Sequence, residues 1–392
     1  MELTSKQEEG LRTAVQRYRL GEKYTVISGY AGSGKTTLVR FIVQSLGVNP
    51  EEDVAYVAFT GKAAKVLQQK GCPNATTAHK LLYKARPKAD GKYIFTPKDF
   101  IEYKIVVVDE ISMLPRTMWE LLCSHPIYII ACGDPGQLPP VSSDEDNHVL
   151  EHPHVFLDEI MRQAKESEII RLSMHVRDGL PLSSFEPTGA QVQIINPSQV
   201  VTGMYEWADQ ILCATNRTRN NINQQLRALK GFGPEPQIGD KIISLRNHWD
   251  DLSTAHNALT NGTIGYLTEY VKQDLYVPRY IVSSGKIPVL LANFHTEDDD
   301  DFHNLYLDYN SLAIGEKLLD SRQEYQMRKS KTCPDAPYEF VYGYAITTHK
   351  AQGSEWDRVL VFEEKFPFDK EEHTRWLYTA CTRSASKLVL VR

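Results

Sequence analysis

The chain has 392 residues, 42% of them hydrophobic and 24% charged, which suits a globular protein of two or three domains. No apolar run approaches the roughly 18 residues of a membrane span, and the opening MELTSKQEEG lacks the charged-then-apolar layout of a secretory signal. The six cysteines are scattered without a C-x-x-C pair, which argues for reduced thiols over a zinc site or a disulfide framework, and a net charge of −6 argues against a general nucleic-acid binder.

Thr4 and Ser5, with Gln7 and Glu8 behind them, read as the capped start of an amphipathic helix. Gln7 serves either as part of that cap or as a contact to an adenine edge. Tyr24–Ser28 alternates like a buried strand, and Leu38–Val43 continues as an amphipathic helix. Between them lies GYAGSGKTT, in which Gly29, Gly34, Lys35 and Thr36 fit the phosphate-loop spacing G-x-x-x-x-G-K-[ST] in its expected strand–loop–helix setting. Glycines allow a tight turn that aims backbone N–H groups at phosphate oxygens, and the helix N-terminus adds to the attraction. Lys35 then places a charge on the β/γ-phosphates of a nucleoside triphosphate, and the Thr36 hydroxyl ligates Mg²⁺.

Val54–Phe59 predicts a second strand, ending in Thr60-Gly61-Lys62, which opens a helix to about Lys70. Thr77-Ala78-His79 opens another. His79 is either a surface helix residue near a cap or, with Thr60 and Thr77, a donor to nucleic-acid phosphate. Residues 60–104 hold ten Lys/Arg against three acids, a local basic track compatible with a strand-binding groove or with ordinary helix surfaces. Residues 83–104 break the α/β rhythm around the turn dipeptide Asp90-Gly91. Tyr93 and Phe95 there sit either on a surface loop folded back on the body or on a pin that separates strands.

Ile105–Val108 predicts a buried strand running into Asp109 and Glu110, placed to hold a Mg²⁺ shell and to orient and deprotonate a water. The next strand, Ile127–Cys132, leads into GDPGQLPP, where Gln137 can reach an outer phosphate or that water. Arg162 and Gln163 precede a helix to about Arg177; Arg162 is a solvated charge or points across a cleft at the nucleotide. The α/β rhythm restarts with strands at 192–196 and 210–214 and a helix from Thr215-Asn216-Arg217 to Lys230. Residues 238–340 read as a small inserted β domain of short alternating strands. The α/β pattern resumes at Phe340–Ala345, followed by TTHKAQGSEWD, a strand at 359–362, a helix carrying Tyr378-Thr379-Ala380-Cys381-Thr382-Arg383 and a last strand at 388–391.

Together these segments resemble the superfamily 1 helicases, and within them the B group typified by RecD and Dda. The likeness runs in family order from Gln7 through GYAGSGKTT, AFTGKAA, TAHKLL, VVVDEISM, GDPGQLPPV, the Arg162-Gln163 segment and TTHKAQGSEWD to YTACTRS. It implies an α/β chain of two RecA-like P-loop NTPase domains with parallel sheets. The first (1–155) carries a pin hairpin at about 83–104. The second (156–237 and 341–392) is interrupted by an SH3-like β domain (238–340). It implies ATP and Mg²⁺ in the cleft, with Gln7, Gly29, Gly32, Ser33, Gly34, Lys35, Thr36, Thr37, Gly353 and Glu355 on the nucleotide, Thr36 and Asp109 on the metal, and Lys35, Glu110, Gln137, Arg162 and Arg383 in the chemistry, the two arginines as fingers. Thr60, Lys62, Thr77, His79, Asn216, Thr348 and His349 would grip a strand, with Tyr93 and Phe95 on the pin. The expected activity is 5′→3′ translocation on single-stranded DNA and duplex unwinding by a compact monomer. It would work in replication, recombination or repair, in the cytosol of a bacterial or phage-infected cell, alongside a single-strand-binding or replisome protein. Phe59 departs from the proline of many relatives, and Cys381 and Ser384 from the commoner Leu and Ala. An RNA-directed helicase of the same group and a nucleotide-gated recombination mediator are the competing readings.

Overall fold

In the computed structural model, the described residues are 3–87, 93–139, 147–246, 259, 261–297, 299–330, 333, 335–364 and 369–392. The Asp90-Gly91 turn and the last residue of GDPGQLPP lie outside them, as do the side chains of Tyr93, Phe95, Arg162 and Gln163. The chain divides into two compact units: residues 1–84, 95–214 and 347–392 form one, and residues 85–94 and 215–346 the other.

The first unit opens with a helix, Ser5–Arg19. Its strands follow in chain order: β1 (Tyr24–Gly29), β2 (Val54–Ala58) and β3 (Thr76–Thr77). β4 (Tyr83–Pro87) and β5 (Tyr93–Pro97), whose residues 85–87 and 93–94 belong to the other unit, pair only with each other, as a two-stranded hairpin. Then come β6 (Ile105–Val108), β7 (Tyr128–Gly133) and β8 (Val155–Leu157). Apart from the hairpin, these strands make one parallel sheet in the order β3-β2-β6-β7-β1-β8. A parallel sheet must be covered on both faces, and the period of two divides β6 accordingly. Ile105 and Val107 pack with Leu38, Ile42 and Leu67. Val106 and Val108 pack with Leu82, Met118 and Leu122. Because all six strands run the same way, the polar residues that follow β1, β2, β6 and β7 gather at one edge, where open α/β sheets bind ligands.

The chain continues through β9 (Val192–Ile195) and β10 (Gln210–Cys213) and then enters the second unit. There β11 (Lys241–Ser244), β12 (Ile264–Tyr276), β13 (Lys286–Thr296), β14 (Asp301–Asp308) and β15 (Phe340–Tyr342) form an antiparallel sheet, order β14-β13-β12-β11-β15. Its core is Leu267, Leu290, Phe294, Phe302 and Phe340. Within the strand β16 (Ala345–Thr347) the chain passes back to the first unit, where β17 (Trp356–Phe362) and β18 (Ser384–Val391) join a parallel array ordered β10-β17-β18-β9.

Two expectations are corrected. The strands of the insert are not short: β12 and β13 run 13 and 11 residues. The outer half of β12 is exposed, with Val271 60% and Tyr276 75% accessible, so its sequence lacks a clean buried-face alternation. Phe340–Tyr342, read as the return of the α/β pattern, pairs antiparallel with β11 and belongs to the insert's sheet.

Candidate nucleotide cleft

After β1 the chain turns through the phosphate loop. Gly32 and Gly34 have φ of 76° and 80°, the left-handed region that glycine enters without strain. Ser33 N–H donates to the Tyr30 carbonyl at 3.2 Å, closing the turn, and the helix Lys35–Ser45 starts at once. Lys35 Nζ lies in the loop, donating to the carbonyls of Gly29 (2.6 Å) and Tyr30 (3.1 Å). The Ser33 hydroxyl, buried in the same loop, has no hydrogen-bond partner among the described residues. Thr36 stands exposed to the cleft, and Thr37 follows it, half-buried.

Gln7 acts as the helix cap and also reaches this loop. Its side chain completes a capping box with Thr4, accepting from Thr4 N–H at 3.0 Å, and its amide nitrogen lies 3.4 Å from the carbonyls of Ser33 and Gly34. It is 1% exposed.

Opposite Thr36, β6 delivers the two carboxylates. Asp109 accepts from Glu110 N–H at 3.1 Å, and burial, reinforced by the neighbouring Glu110 charge, raises its pKa. Glu110 has a left-handed backbone, φ 49°, which costs a non-glycine residue about 1–3 kcal/mol. One of its oxygens faces Arg383 Nη1 at 3.5 Å, and the other is buried with no partner among the described residues. The Thr36 hydroxyl, the Asp109 carboxylate and the open space beside them fit a hexacoordinate Mg²⁺, which keeps waters and takes few protein ligands. No cluster of three or more His, Cys, Asp or Glu able to hold a metal occurs among the described residues.

The other wall comes from the segments around β17 and β18. Arg383, 5% exposed, donates to the carbonyls of Thr379 (3.2 Å) and Ser354 (3.3 Å), which hold its guanidinium toward Glu110. Gly353 has φ 74°, and a Cβ placed on it would lie 3.4 Å from Thr60 Oγ1 and 3.5 Å from Glu110 Oε2. Glu355 pairs with Lys70 at 3.7 Å, and both line the cleft. The Arg162 backbone reaches the same place, since its neighbour Met161 donates N–H to the Gly32 carbonyl at 3.0 Å. Gln137 is half-buried, its N–H on the Asp134 carbonyl.

The residues read as strand contacts are more varied. Thr60 and Thr77 are helix N-caps, accepting from Ala63 (3.2 Å) and Lys80 (3.3 Å) N–H. Lys62 Nζ sits 4.2 Å above the Trp356 ring. His79 stands between the rings of Phe59 and Tyr83, and burial pulls its pKa down to about 4, so it is neutral at physiological pH. His349 is half-buried, its pKa also lowered by burial and by Lys350. Thr348 is corrected: its side chain is fully buried and donates to the Cys213 carbonyl at 3.4 Å, so it holds β10 and presents no hydroxyl to a strand. Asn216, in the second unit, is exposed at the start of the helix Asn216–Leu229. Sequence reasoning missed Lys70, Met161 and Tyr378. Only Tyr378 lay inside a recognised motif.

No disulfide joins the described cysteines, five of which are buried and Cys123 half-buried. No helix among the described residues is long and apolar enough to cross a membrane.

The family described as an AAA domain matches residues 2–196, and the UvrD-like helicase C-terminal domain matches residues 342–391. The ATP-dependent RecD2 DNA helicase of Deinococcus radiodurans is 25% identical over 397 residues, covering 94% of this chain and 46% of that protein. The ATP-dependent DNA helicase Dda of Enterobacteria phage T4 is 22% identical over 433 residues, covering 97% of each. The chain thus spans about half the length of the first relative and nearly all of the second. Among solved structures, a Pif1 helicase from Bacteroides in complex with ADP-AlF3 and single-stranded DNA aligns with a TM-score of 0.51 at 16% identity, over 100% of this chain and 92% of that one. The fold is shared.

Proposed function

We propose that the chain works as an ATP-driven DNA helicase, from the premise that it belongs to the superfamily 1 helicases of the RecD, Dda and Pif1 group. The observation that carries the reading is the meeting of Arg383 with Glu110 across one cleft, beside Thr36 and Asp109. A nucleotide switch needs a phosphate loop, but not a carboxylate base and an opposed arginine.

Phosphate oxygens of ATP bind the loop amides and Lys35, which exchanges its two carbonyl contacts for them. Thr36 and Asp109 would hold Mg²⁺, which when bound would supply charge neutralisation on the outer phosphates. Glu110, with a free oxygen and a fixed backbone, orients the attacking water and takes its proton. Arg383, with Arg162 as second finger, stabilises the charge that develops on the transferring phosphoryl, an effect worth about 10³–10⁵ in rate. Arg383 lies between β17 and β18, whereas the phosphate loop follows β1 of the other parallel sheet, so hydrolysis depends on their approach. Repeated approach and release would let Thr60, Lys62, Thr77, His79 and His349 alternate their hold on single-stranded DNA, with Asn216 as a further contact and 5′→3′ movement as in the B group. The β4–β5 hairpin with Tyr93 and Phe95 is the pin that splits the duplex, and the antiparallel sheet of the second unit is the SH3-like insert.

The test is ATP turnover of the protein alone, with single-stranded DNA and with single-stranded RNA, followed by unwinding of duplexes carrying a 5′ or a 3′ tail. DNA-stimulated turnover with unwinding from the 5′ tail alone supports the reading. Stimulation by RNA alone reassigns the substrate. Stimulation by neither leaves an ATPase without a motor and overturns it.

A further inference from the structure

The helix Lys370–Cys381, which leads into Arg383, makes a second attachment five residues before that arginine. Tyr378 is 1% exposed, and its hydroxyl is fully engaged. It accepts from Ala31 N–H of the phosphate loop at 2.8 Å and donates to Asp134 Oδ2 at 2.7 Å. Asp134, itself 4% exposed, uses its other oxygen to accept from Gly136 N–H at 2.9 Å, which shapes the loop that carries Gln137. Gly136 is close to the ring: a Cβ there would lie 3.1 Å from Tyr378 Cε1. The next residue repeats the pattern. Thr379 Oγ1 accepts from Leu138 N–H at 2.9 Å, and Gln352 donates to the Leu138 carbonyl at 2.7 Å.

We propose that Tyr378 is a positioning residue for phosphoryl transfer: its hydroxyl registers the Arg383 helix against both the phosphate loop and the Gln137 loop. This rests on the ATPase reading of the cleft. A phenol can do this because it donates and accepts at one atom. Its acceptor is a carboxylate, so the bond is charge-assisted, and its donor is an amide of the loop that shapes the phosphate site. Arg162 has a matching attachment one residue along the loop, through Met161 N–H on the Gly32 carbonyl. Both arginine segments are therefore referenced to the Ala31–Gly32 stretch. Phenylalanine would keep the ring packing at Gly136 and remove only the registration.

The experiment compares wild type, Tyr378→Phe, Asp134→Asn and the double variant. Steady-state ATP turnover is measured alongside thermal midpoint and hydrogen exchange of the peptide containing Ala31. The expected result for Tyr378→Phe is a kcat about tenfold lower, with KM for ATP within about twofold. Ala31 exchange should be faster and the thermal midpoint little changed. The double variant should be no slower than the worse single one, because the two groups act as one unit. Unchanged kcat with unchanged Ala31 exchange overturns the proposal. A fall in kcat matched by a fall in midpoint, with additive variants, assigns Tyr378 to packing and overturns it too. A wild type whose turnover ignores DNA sinks the helicase reading, while the exchange and basal kcat comparisons still decide the role of Tyr378.

Discussion

Two arginine–carboxylate pairs in this chain are built in opposite ways. In the second unit, Arg227 grips Asp240 with two nitrogens, at 2.8 and 3.0 Å. Asp240 also accepts from Gln237 N–H at 2.7 Å and from the Tyr344 hydroxyl at 3.0 Å. Arg227 spends its remaining capacity on the Glu235 carbonyl at 2.6 Å and on the face of Tyr342 at 4.1 Å. In the cleft, Arg383 meets Glu110 through one nitrogen at 3.5 Å, the second carboxylate oxygen has no partner among the described residues, and the Glu110 backbone is left-handed. A satisfied pair fixes structure. A pair held short of its hydrogen bonds, on a strained backbone, is the arrangement of groups waiting for a ligand.

The strongest way to break this contrast is to neutralise each carboxylate. Glu110→Gln should lower ATP turnover by about 10²–10⁴, retain nucleotide binding and leave the thermal midpoint unchanged or higher, because an under-bonded buried charge is removed. Loss of nucleotide binding would make Glu110 structural. Asp240→Ala should do the reverse. It strands Arg227 in the interior at a cost of about 3–5 kcal/mol, read as a large drop in thermal midpoint, while turnover measured well below that midpoint stays near wild type. A turnover loss without a midpoint loss would place Asp240 in the reaction.

The sequence was legible where one stretch carries its own geometry. The phosphate loop and the Asp109-Glu110 strand end follow from local spacing, because a loop with glycines at φ > 0 and a buried strand that ends in acids have few folded solutions. The edge strand β8 was not read, since three residues with Phe156 exposed carry no periodicity. The length of β12 and β13 was missed for a related reason: half of β12 faces solvent on both sides. Tyr378 and the buried Thr348 escaped because their roles depend on partners 347 and 135 residues away.

A smaller effect concerns the hairpin. Tyr93→Ala and Phe95→Ala should spare DNA-stimulated turnover and impair unwinding, since stacking on a base is worth about 1–3 kcal/mol and the nucleotide groups lie elsewhere. Equal loss of both activities would remove the pin assignment and leave the contrast between structure and chemistry to the two carboxylates alone.

The smallest effect is a titration. His79 was read as a donor to phosphate, and burial lowers its pKa to about 4, against about 6.5 for the residue in an unfolded chain. The group is therefore neutral in both states above pH 7. Between about 6.5 and 4 the unfolded chain takes up the proton first, so stability is fully present above the unfolded value and is lost as pH falls through this window. The loss is on the order of 2 kcal/mol, less where solvent reaches the ring. His79→Gln keeps a hydrogen-bonding side chain without the proton, so it should flatten the acid limb of the thermal midpoint between pH 6.5 and 4. Because a neutral imidazole contributes no charge to phosphate, DNA affinity of the wild type should show no His79-dependent rise between pH 8 and 6.5. If that rise appears and His79→Gln removes it, DNA binding charges the ring, and His79 belongs with the under-bonded groups of the cleft instead of the satisfied scaffold.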